Sequence, residues 1–143
     1  MENNYINLSD KRKLGYSEYG RKEGYPIIYC HGSQSSRLEM HYDLSFALSN
    51  NLRIISIDRP GHGDSDFNPN GTIESFANDT NQLVKNLNIT EFSVLGMSAG
   101  APFAMGIAYY LNQKSKKLGI VSGFAPLNNE TLKALNKDIR LIL

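Results

Sequence analysis

Four short apolar segments, separated by stretches with helical character, constrain the fold of this chain more than any other feature. The segments cover residues 26–30, 52–57, 92–95 and 118–122. Short apolar runs of this kind are typical of strands that are covered on both faces. When such strands alternate with helices, they usually form a mostly parallel sheet with helices on both faces. The sequence therefore predicts an α/β fold.

The segments between these strands supply the helices, and a hairpin precedes them. Helices are predicted at residues 40–48, 72–87 and 102–111. We expect Thr72 to begin the second helix, although Ser75 is not the Glu or Gln of a capping box. The third helix is apolar nearly all round, so we expect it to be buried on every side. Alternating residues at 6–8 and 14–16 predict the hairpin.

Length and charge place the chain among ordinary globular domains. It has 143 residues, enough for one domain, and 15 basic side chains nearly balance 14 acidic ones. We therefore expect no nucleic-acid and no membrane partner. The lysines at 114, 116 and 117 are interpreted as solvating a helix end. The longest apolar run, 101–111, is too short to span a bilayer.

The cysteine content favours a reducing compartment. Cys30 is the single cysteine, which excludes an intrachain disulfide, and we interpret it as a packed thiol inside a strand. No leader segment is visible in the first residues. A cytoplasmic location is therefore expected.

The segment GMSAG, residues 96–100, lies between the third apolar strand and the third helix. It matches G-x-S-x-G, a pattern that places a serine nucleophile on a sharp strand-to-helix turn. Gly96 and Gly100 occupy structural positions where a side chain would meet neighbouring backbone. The free N–H groups at the start of the helix would face the same point. Ser98 is therefore the candidate nucleophile.

Loops after three predicted strands carry the remaining candidates. Residues 31–34, 58–66 and 96–100 should face one crevice, because ligands bind at the carboxyl ends of parallel strands. Acyl transfer also requires N–H donors for the oxyanion of the transition state. We expect the backbone N–H groups of Ala99 and Ser33 to be these donors, with Gln34 as the second choice.

Three segments together resemble the α/β-hydrolase superfamily: YCHGSQSSRLE, IDRPGHGDSD and FSVLGMSAGAPFA. They match an HG-x-x-x-SR loop, a DRPGHG loop and the G-x-S-x-G elbow, in that order. VSGFAPL resembles the strand that follows the elbow helix, so the resemblance covers roughly residues 13–127. It implies esterase-like hydrolysis of a small acyl substrate, with no cofactor and no metal.

The matched loops also suggest individual roles. His31, Gly32 and Met97 are expected near the substrate. His31 leads the oxyanion loop, so we interpret it as a structural residue of that loop and not as a general base. Asp58 is interpreted as a residue that fixes its own loop by accepting backbone N–H bonds.

The resemblance leaves the catalytic triad incomplete. Family members order the triad Ser, then acid, then His along the chain. The three histidines here, His31, His41 and His62, all precede Ser98. His41 is interpreted as a surface or lid-contacting residue. His62 lies in a crevice loop and stays open as an alternative base.

We therefore expect the N-terminal portion of a hydrolase, truncated before the last strands of the sheet. Residues 1–127 would form part of the core, and residues 128–143 would begin a lid helix. Activity of the chain alone should be negligible, and a complementary C-terminal chain is a candidate partner.

Two other function classes compete with this hypothesis. A non-catalytic α/β module could bind a small acyl ligand or a partner protein through the same crevice. A nucleotide-binding oxidoreductase is disfavoured, because no G-x-G-x-x-G follows the first apolar strand.

Overall fold

The computed structural model describes residues 4–41 and 44–123. The strands are β1 (Asn4–Asn7), β2 (Lys13–Gly20), β3 (Tyr25–Cys30), β4 (Leu52–Ile57), β5 (Phe92–Met97) and β6 (Ser115–Val121). The helices are α1 (Ser45–Ser49), α2 (Ile73–Asn86) and α3 (Ala101–Tyr110), and short 3₁₀ helices at Arg37–His41 and Ser98–Gly100 precede α1 and α3. The predicted end of the core at residue 127 and the predicted lid helix at 128–143 lie outside the described residues.

The strands form one sheet in the order β1-β2-β4-β3-β5-β6. β1 and β2 form the predicted antiparallel hairpin, and β2 also pairs antiparallel with β4. The pairs β3–β4, β3–β5 and β5–β6 are parallel. The predicted α/β fold with a mostly parallel sheet is therefore confirmed. Because β4, β3 and β5 are neighbours, the loops at their carboxyl ends lie side by side.

Alternate residues of the central strands point to two separate apolar clusters, one on each face of the sheet. In β3, Ile28 and Cys30 belong to the cluster that also contains Phe76 of α2 and Ile107 of α3. Tyr29 belongs to the opposite cluster, which includes Ala47 of α1. Helices therefore cover both faces, as predicted. Burial raises the pKa of the Cys30 thiol to about 12, in agreement with a packed thiol.

Residues 37–41 form a 3₁₀ helix and residues 45–49 form α1, where the spacing of residues 40–48 predicts a single helix. Of the apolar residues that predict this helix, Met40 and Leu44 pack against the cluster that contains Ala47, whereas Leu48 is exposed. The backbone N–H and the guanidinium of Arg37 both donate to the Asp58 carboxylate. The start of this segment is thus set by a contact with a distant loop, which local periodicity does not encode.

Helix α2 starts with the capping box that its sequence does not predict. Thr72 is the N-cap, as expected, and its hydroxyl accepts the Ser75 backbone N–H at 3.0 Å. The Ser75 hydroxyl accepts the Thr72 backbone N–H at 2.8 Å in return. Ser75 therefore completes the box in place of the usual Glu or Gln, because its short side chain reaches the N-cap N–H that those residues usually bind.

The C-terminal part of the described chain differs from two expectations. β6 begins at Ser115, so Lys116 and Lys117 lie within a strand and not at a helix end; Lys116 lies 3.6 Å from the carboxylate of Glu91. Met105 and Tyr109 of α3 are exposed in the part of the chain that the structure describes, although the helix is predicted to be buried all round. Apolar composition alone does not specify which neighbour covers a helix face. No described helix is both long and apolar enough to cross a membrane.

Candidate active site

Ser98 stands at the junction of β5 and α3, where the chain turns sharply from strand to helix. Its backbone φ is 49°, in the left-handed region that residues with a Cβ atom rarely adopt. β5 ends at Met97, and the 3₁₀ turn Ser98–Gly100 leads directly into α3. The serine is half-buried at the carboxyl edge of the sheet.

The two glycines of GMSAG allow this turn to pack closely. A Cβ atom added to Gly100 would lie 2.1 Å from the carbonyl oxygen of Cys30, at the end of β3. A Cβ atom added to Gly96 would lie 2.7 Å from the Cβ atom of Ala104 in α3. The structure therefore requires glycine at both positions, in agreement with the predicted elbow.

The loop after β3 passes beside the serine. A Cβ atom built on Gly32 would lie 3.6 Å from the Cβ atom of Ser98. The Gly32 N–H donates to the Glu39 carboxylate at 3.0 Å, and the same oxygen accepts the Tyr29 hydroxyl at 2.6 Å. Because Glu39 accepts the Gly32 N–H, this group is not free to bind an oxyanion. The next backbone N–H groups of the loop are those of Ser33 and Gln34.

The predicted oxyanion donors belong to the two segments that meet where Gly32 approaches Ser98. Ser33 and Gln34 are exposed, and Gln34 has a φ of 52° that turns the loop. Ala99 and Met97 flank Ser98 and are both half-buried. The structure thus brings the HGSQ loop and the elbow together, as the sequence predicts.

The imidazole of His31 is fully buried and joins two loops. Its Nε2 accepts the Arg59 backbone N–H at 3.2 Å, so Nδ1 carries the proton and donates to the Gly32 carbonyl at 2.9 Å. Burial lowers the pKa of His31 to about 4, which keeps the ring neutral at neutral pH. These contacts agree with a structural residue of the loop.

Asp58 organises the loop after β4 from a fully buried position. Its carboxylate accepts the backbone N–H groups of Arg37 and Asp64, at 2.7 and 2.9 Å, and lies 2.5 Å from the Arg37 guanidinium. The guanidinium also pairs with the Asp64 carboxylate. A Cβ atom on Gly63, whose φ is 52°, would lie 2.1 Å from the Asp58 carboxylate. The interpretation of Asp58 as a loop-fixing residue agrees with this geometry.

His62 belongs to the same loop and faces His31. The two ring centroids are 5.3 Å apart, and the His62 Nδ1 lies 3.3 Å from the Pro60 carbonyl oxygen. Contacts therefore connect all three predicted loops, which lie together at the carboxyl edge of the sheet as expected. The predicted surface position of the His41 side chain lies outside what the structure describes.

Metal-binding side chains are not clustered in this part of the molecule. Within residues 4–41 and 44–123, no group of three or more His, Cys, Asp or Glu side chains could hold a metal ion.

The family comparison decides the assignment. A family model described as the alpha/beta hydrolase fold matches residues 25–141, most of the chain. The chain belongs to the α/β-hydrolase family.

Relatives of this α/β-hydrolase carry several enzyme names. A non-heme chloroperoxidase of Streptomyces lividans is 30% identical over 96 residues, which are 66% of this chain and 35% of that protein. The bifunctional esterase/perhydrolase DCH of Acinetobacter calcoaceticus is 26% identical over 129 residues, 89% of this chain and 47% of that protein. The chain thus spans between 35% and 47% of the length of these two curated relatives.

Solved structures show the same α/β-hydrolase fold. One from a study of carboxylesterases of Nitrososphaera gargenis has a TM-score of 0.78 and 19% identity, covering 92% of this chain and 50% of that one. A thioesterase domain from the curacin biosynthetic pathway has a TM-score of 0.77 and 19% identity, covering 99% and 53%. In both proteins the matched region is about half of the chain.

Three charged residues that build this α/β-hydrolase site are not singled out by the sequence analysis. Arg37 and Glu39 hold the loop after β3, and the Arg59 guanidinium donates to the Gly32 carbonyl at 2.8 Å. The available signal is the matched motifs, since Arg37 ends the HG-x-x-x-SR pattern, Arg59 belongs to DRPGHG, and Glu39 follows Arg37 by two positions. What the sequence does not give is the partner of each charge.

Proposed function

We propose that this chain carries the nucleophile and the oxyanion site of a serine hydrolase that cleaves a small acyl substrate by esterase-like chemistry. The observation that carries the proposal is the left-handed backbone of Ser98, at a φ of 49°, between β5 and α3. A non-glycine residue in such a conformation is a frequent mark of a functional site. The esterase/perhydrolase relative supports an acyl substrate.

In the proposed reaction, the Ser98 hydroxyl oxygen attacks the acyl carbonyl carbon while its proton passes to a base. The carbonyl oxygen then carries the negative charge of the tetrahedral intermediate. The backbone N–H groups of Ala99 and Ser33 would stabilise it, with Gln34 as the second choice for the latter. Removing one such donor typically costs about 3 kcal/mol of transition-state stabilisation. The step uses no cofactor.

The loop geometry supports this choice of donors. Glu39 takes the Gly32 N–H, and the next two residues of the loop, Ser33 and Gln34, are exposed, so their N–H groups are the nearest candidates for an oxyanion. Gly32 and Met97 would contact the substrate beside Ser98. His31 would contribute by holding the Gly32 carbonyl and thereby the position of this loop.

We propose that the base and its orienting acid lie outside this chain. His31 is buried and uses both ring nitrogens, which argues against a role in proton transfer. The chain covers less than half of the two curated relatives, and the family places its histidine after the serine. Turnover by the chain alone should therefore be negligible, and full activity would need a complementary C-terminal portion.

A labelling experiment tests the nucleophile. The chain is incubated with a fluorophosphonate probe at pH 9, where hydroxide partly replaces the missing base, and the adduct is located by mass spectrometry. We expect slow labelling of Ser98, which Ser98→Ala abolishes. Ser93→Ala removes a hydroxyl from the same strand and should leave the rate unchanged. Labelling confined to other residues would refute the nucleophile.

Ester hydrolysis tests the absence of a base. With p-nitrophenyl acetate at pH 7, the wild-type chain should be no faster than Ser98→Ala. Hydrolysis that depends on Ser98 and is lost in His62→Ala would identify His62 as the base and contradict the proposal.

A further inference from the structure

A cavity of about 350 Å³ lies on the α2 side of the loop that carries Arg59, and the proposed hydrolytic step does not use it. Phe67, Phe76 and Phe103 supply aromatic walls, and Ile73 adds an aliphatic one. Small-molecule sites usually begin at about this volume and are lined mainly by apolar side chains. The cavity therefore has the size and the walls of a ligand site.

The charged group in this cavity is Arg59, which is only 8% exposed. One Nη donates to the Gly32 carbonyl at 2.8 Å, and the guanidinium carbon lies 5.1 Å from the centroid of the Phe103 ring. Nε is buried and has no hydrogen-bond partner among the described residues. None of the ion pairs in residues 4–41 and 44–123 includes Arg59.

A buried cation without a counter-ion is costly, so its presence calls for a compensating anion. Burial lowers the pKa of Arg59, and the interactions with Cys30 and Glu39 oppose this shift only in part. The ring of Phe103 contributes a cation–π contact, which is weaker than a bidentate carboxylate. No described residue that lines the cavity carries a carboxylate.

The N-terminus of α2 opens onto the same cavity. Gly71, Thr72 and Ile73 line it, and Thr72 is the N-cap of this 14-residue helix. The positive end of the helix dipole therefore lies close to Arg59, and both favour a negative charge. Glu74 belongs to the first turn but does not line the cavity.

We propose that this cavity binds a small molecule with an aromatic body and one carboxylate group, which pairs with the Arg59 guanidinium. The three phenylalanines would surround the apolar body, while the N-terminus of α2 would add to the field at the carboxylate. The site does not include Ser98, so its test is independent of the proposed hydrolysis.

Phenylacetate and phenylacetamide provide a matched pair of probes, since they have nearly the same shape and differ in charge. Calorimetric titration of the full chain at low salt should give one saturable site for phenylacetate. A hydrogen bond to a charged group is worth enough that the amide should bind about tenfold more weakly or worse. Backbone NMR shifts should change at Ile73 and Phe103. Equal affinities, no saturable binding or shifts confined to other regions would each overturn the proposal.

Variants separate the charge from the apolar walls. Arg59→Met should bind both probes equally, whereas Arg53→Met, which removes the same charge from the Glu18 pair, should keep the preference for phenylacetate. Phe67 is 72% exposed, so Phe67→Ala should fold normally and weaken the binding of both probes, while the preference for phenylacetate persists.

If Arg59→Met fails to fold, the Phe67→Ala variant decides between the outcomes. Unchanged binding of both probes to Phe67→Ala would place the site elsewhere. A phenylacetate preference that survives in folded Arg59→Met would also exclude the site. Ser98→Ala should leave binding unchanged.

Discussion

Ser98, the proposed nucleophile, has an unfavourable backbone conformation. A left-handed residue with a Cβ atom is typically about 1–2 kcal/mol less stable than one in the right-handed region. Glycine avoids this penalty, but it has no hydroxyl group. The proposed role as nucleophile would explain why a serine stands at a φ of 49°, where glycine would be more stable.

This conflict predicts an inverted order of stability for two variants. Ser98→Gly should have a free energy of unfolding about 1 kcal/mol higher than Ser98→Ala, because alanine keeps the Cβ penalty. In ordinary helix or strand positions the alanine variant is the more stable. Urea unfolding of both proteins, followed by circular dichroism, measures the difference. An alanine variant as stable as the glycine variant would show that the backbone at residue 98 carries no strain.

His31 should make the stability of the chain depend on pH. Its pKa in the folded chain is about 4, below the value of about 6.5 for an exposed histidine, so the unfolded chain binds more protons between these values. The free energy of unfolding should therefore fall as the pH is lowered through this window. The expected contribution is about 2 kcal/mol between pH 7 and pH 5. Urea titrations at both pH values measure it.

Asparagine variants assign this pH dependence. His31→Asn should lose the contribution, whereas His62→Asn, a change in the neighbouring ring, should keep it. A slope that persists unchanged in His31→Asn would contradict the neutral, buried imidazole.

At the scale of the elements, the sequence predicts what repeats locally and misses what depends on distant partners. The central strands β3, β4 and β5 and the helix α2 follow from continuous apolar runs and helical spacing and occur close to where they are predicted, whereas β6 begins three residues early. The 3₁₀ helix Arg37–His41 is not predicted, and its first residue contacts Asp58, 21 positions away along the chain. The elbow at Ser98 is predictable because G-x-S-x-G is itself local, whereas the cavity beside Arg59 joins a loop to two helices.

The capping box of α2 gives a prediction at this scale. Ser75→Ala removes the acceptor of the Thr72 N–H and should lower the free energy of unfolding by about 1 kcal/mol. Ser75→Glu should restore most of it, because glutamate is the usual residue of the box. Asn78→Ala, on the exposed side of α2, is the control and should not destabilise the chain, since alanine is a better helix former. Thermal unfolding of the three variants tests the order, and equal stabilities of Ser75→Ala and wild type would refute it.

At the scale of the whole molecule, the order β4-β3-β5 places three loops at one edge of the sheet. The alternation of strands and helices predicts this meeting, but not the charged network that fixes it. Arg37 connects the loop after β3 to Asp58 and Asp64 of the loop after β4. The crevice is therefore held by a buried ion pair between segments that are distant in sequence.

Breaking this pair should destabilise the molecule more than removing it entirely. Arg37→Met leaves the Asp58 carboxylate, which is 0% exposed, without its cation, and should lower the free energy of unfolding by about 3 kcal/mol or more. Adding Asp58→Asn removes the uncompensated charge and should recover part of this loss. Arg53→Met, which breaks the more exposed pair with Glu18, is the control and should cost about 1 kcal/mol or less. Urea unfolding of the single and double variants measures all of these values. If the two changes at Arg37 and Asp58 were simply additive, the pair would not be coupled, and the loops would be held by their backbone hydrogen bonds alone.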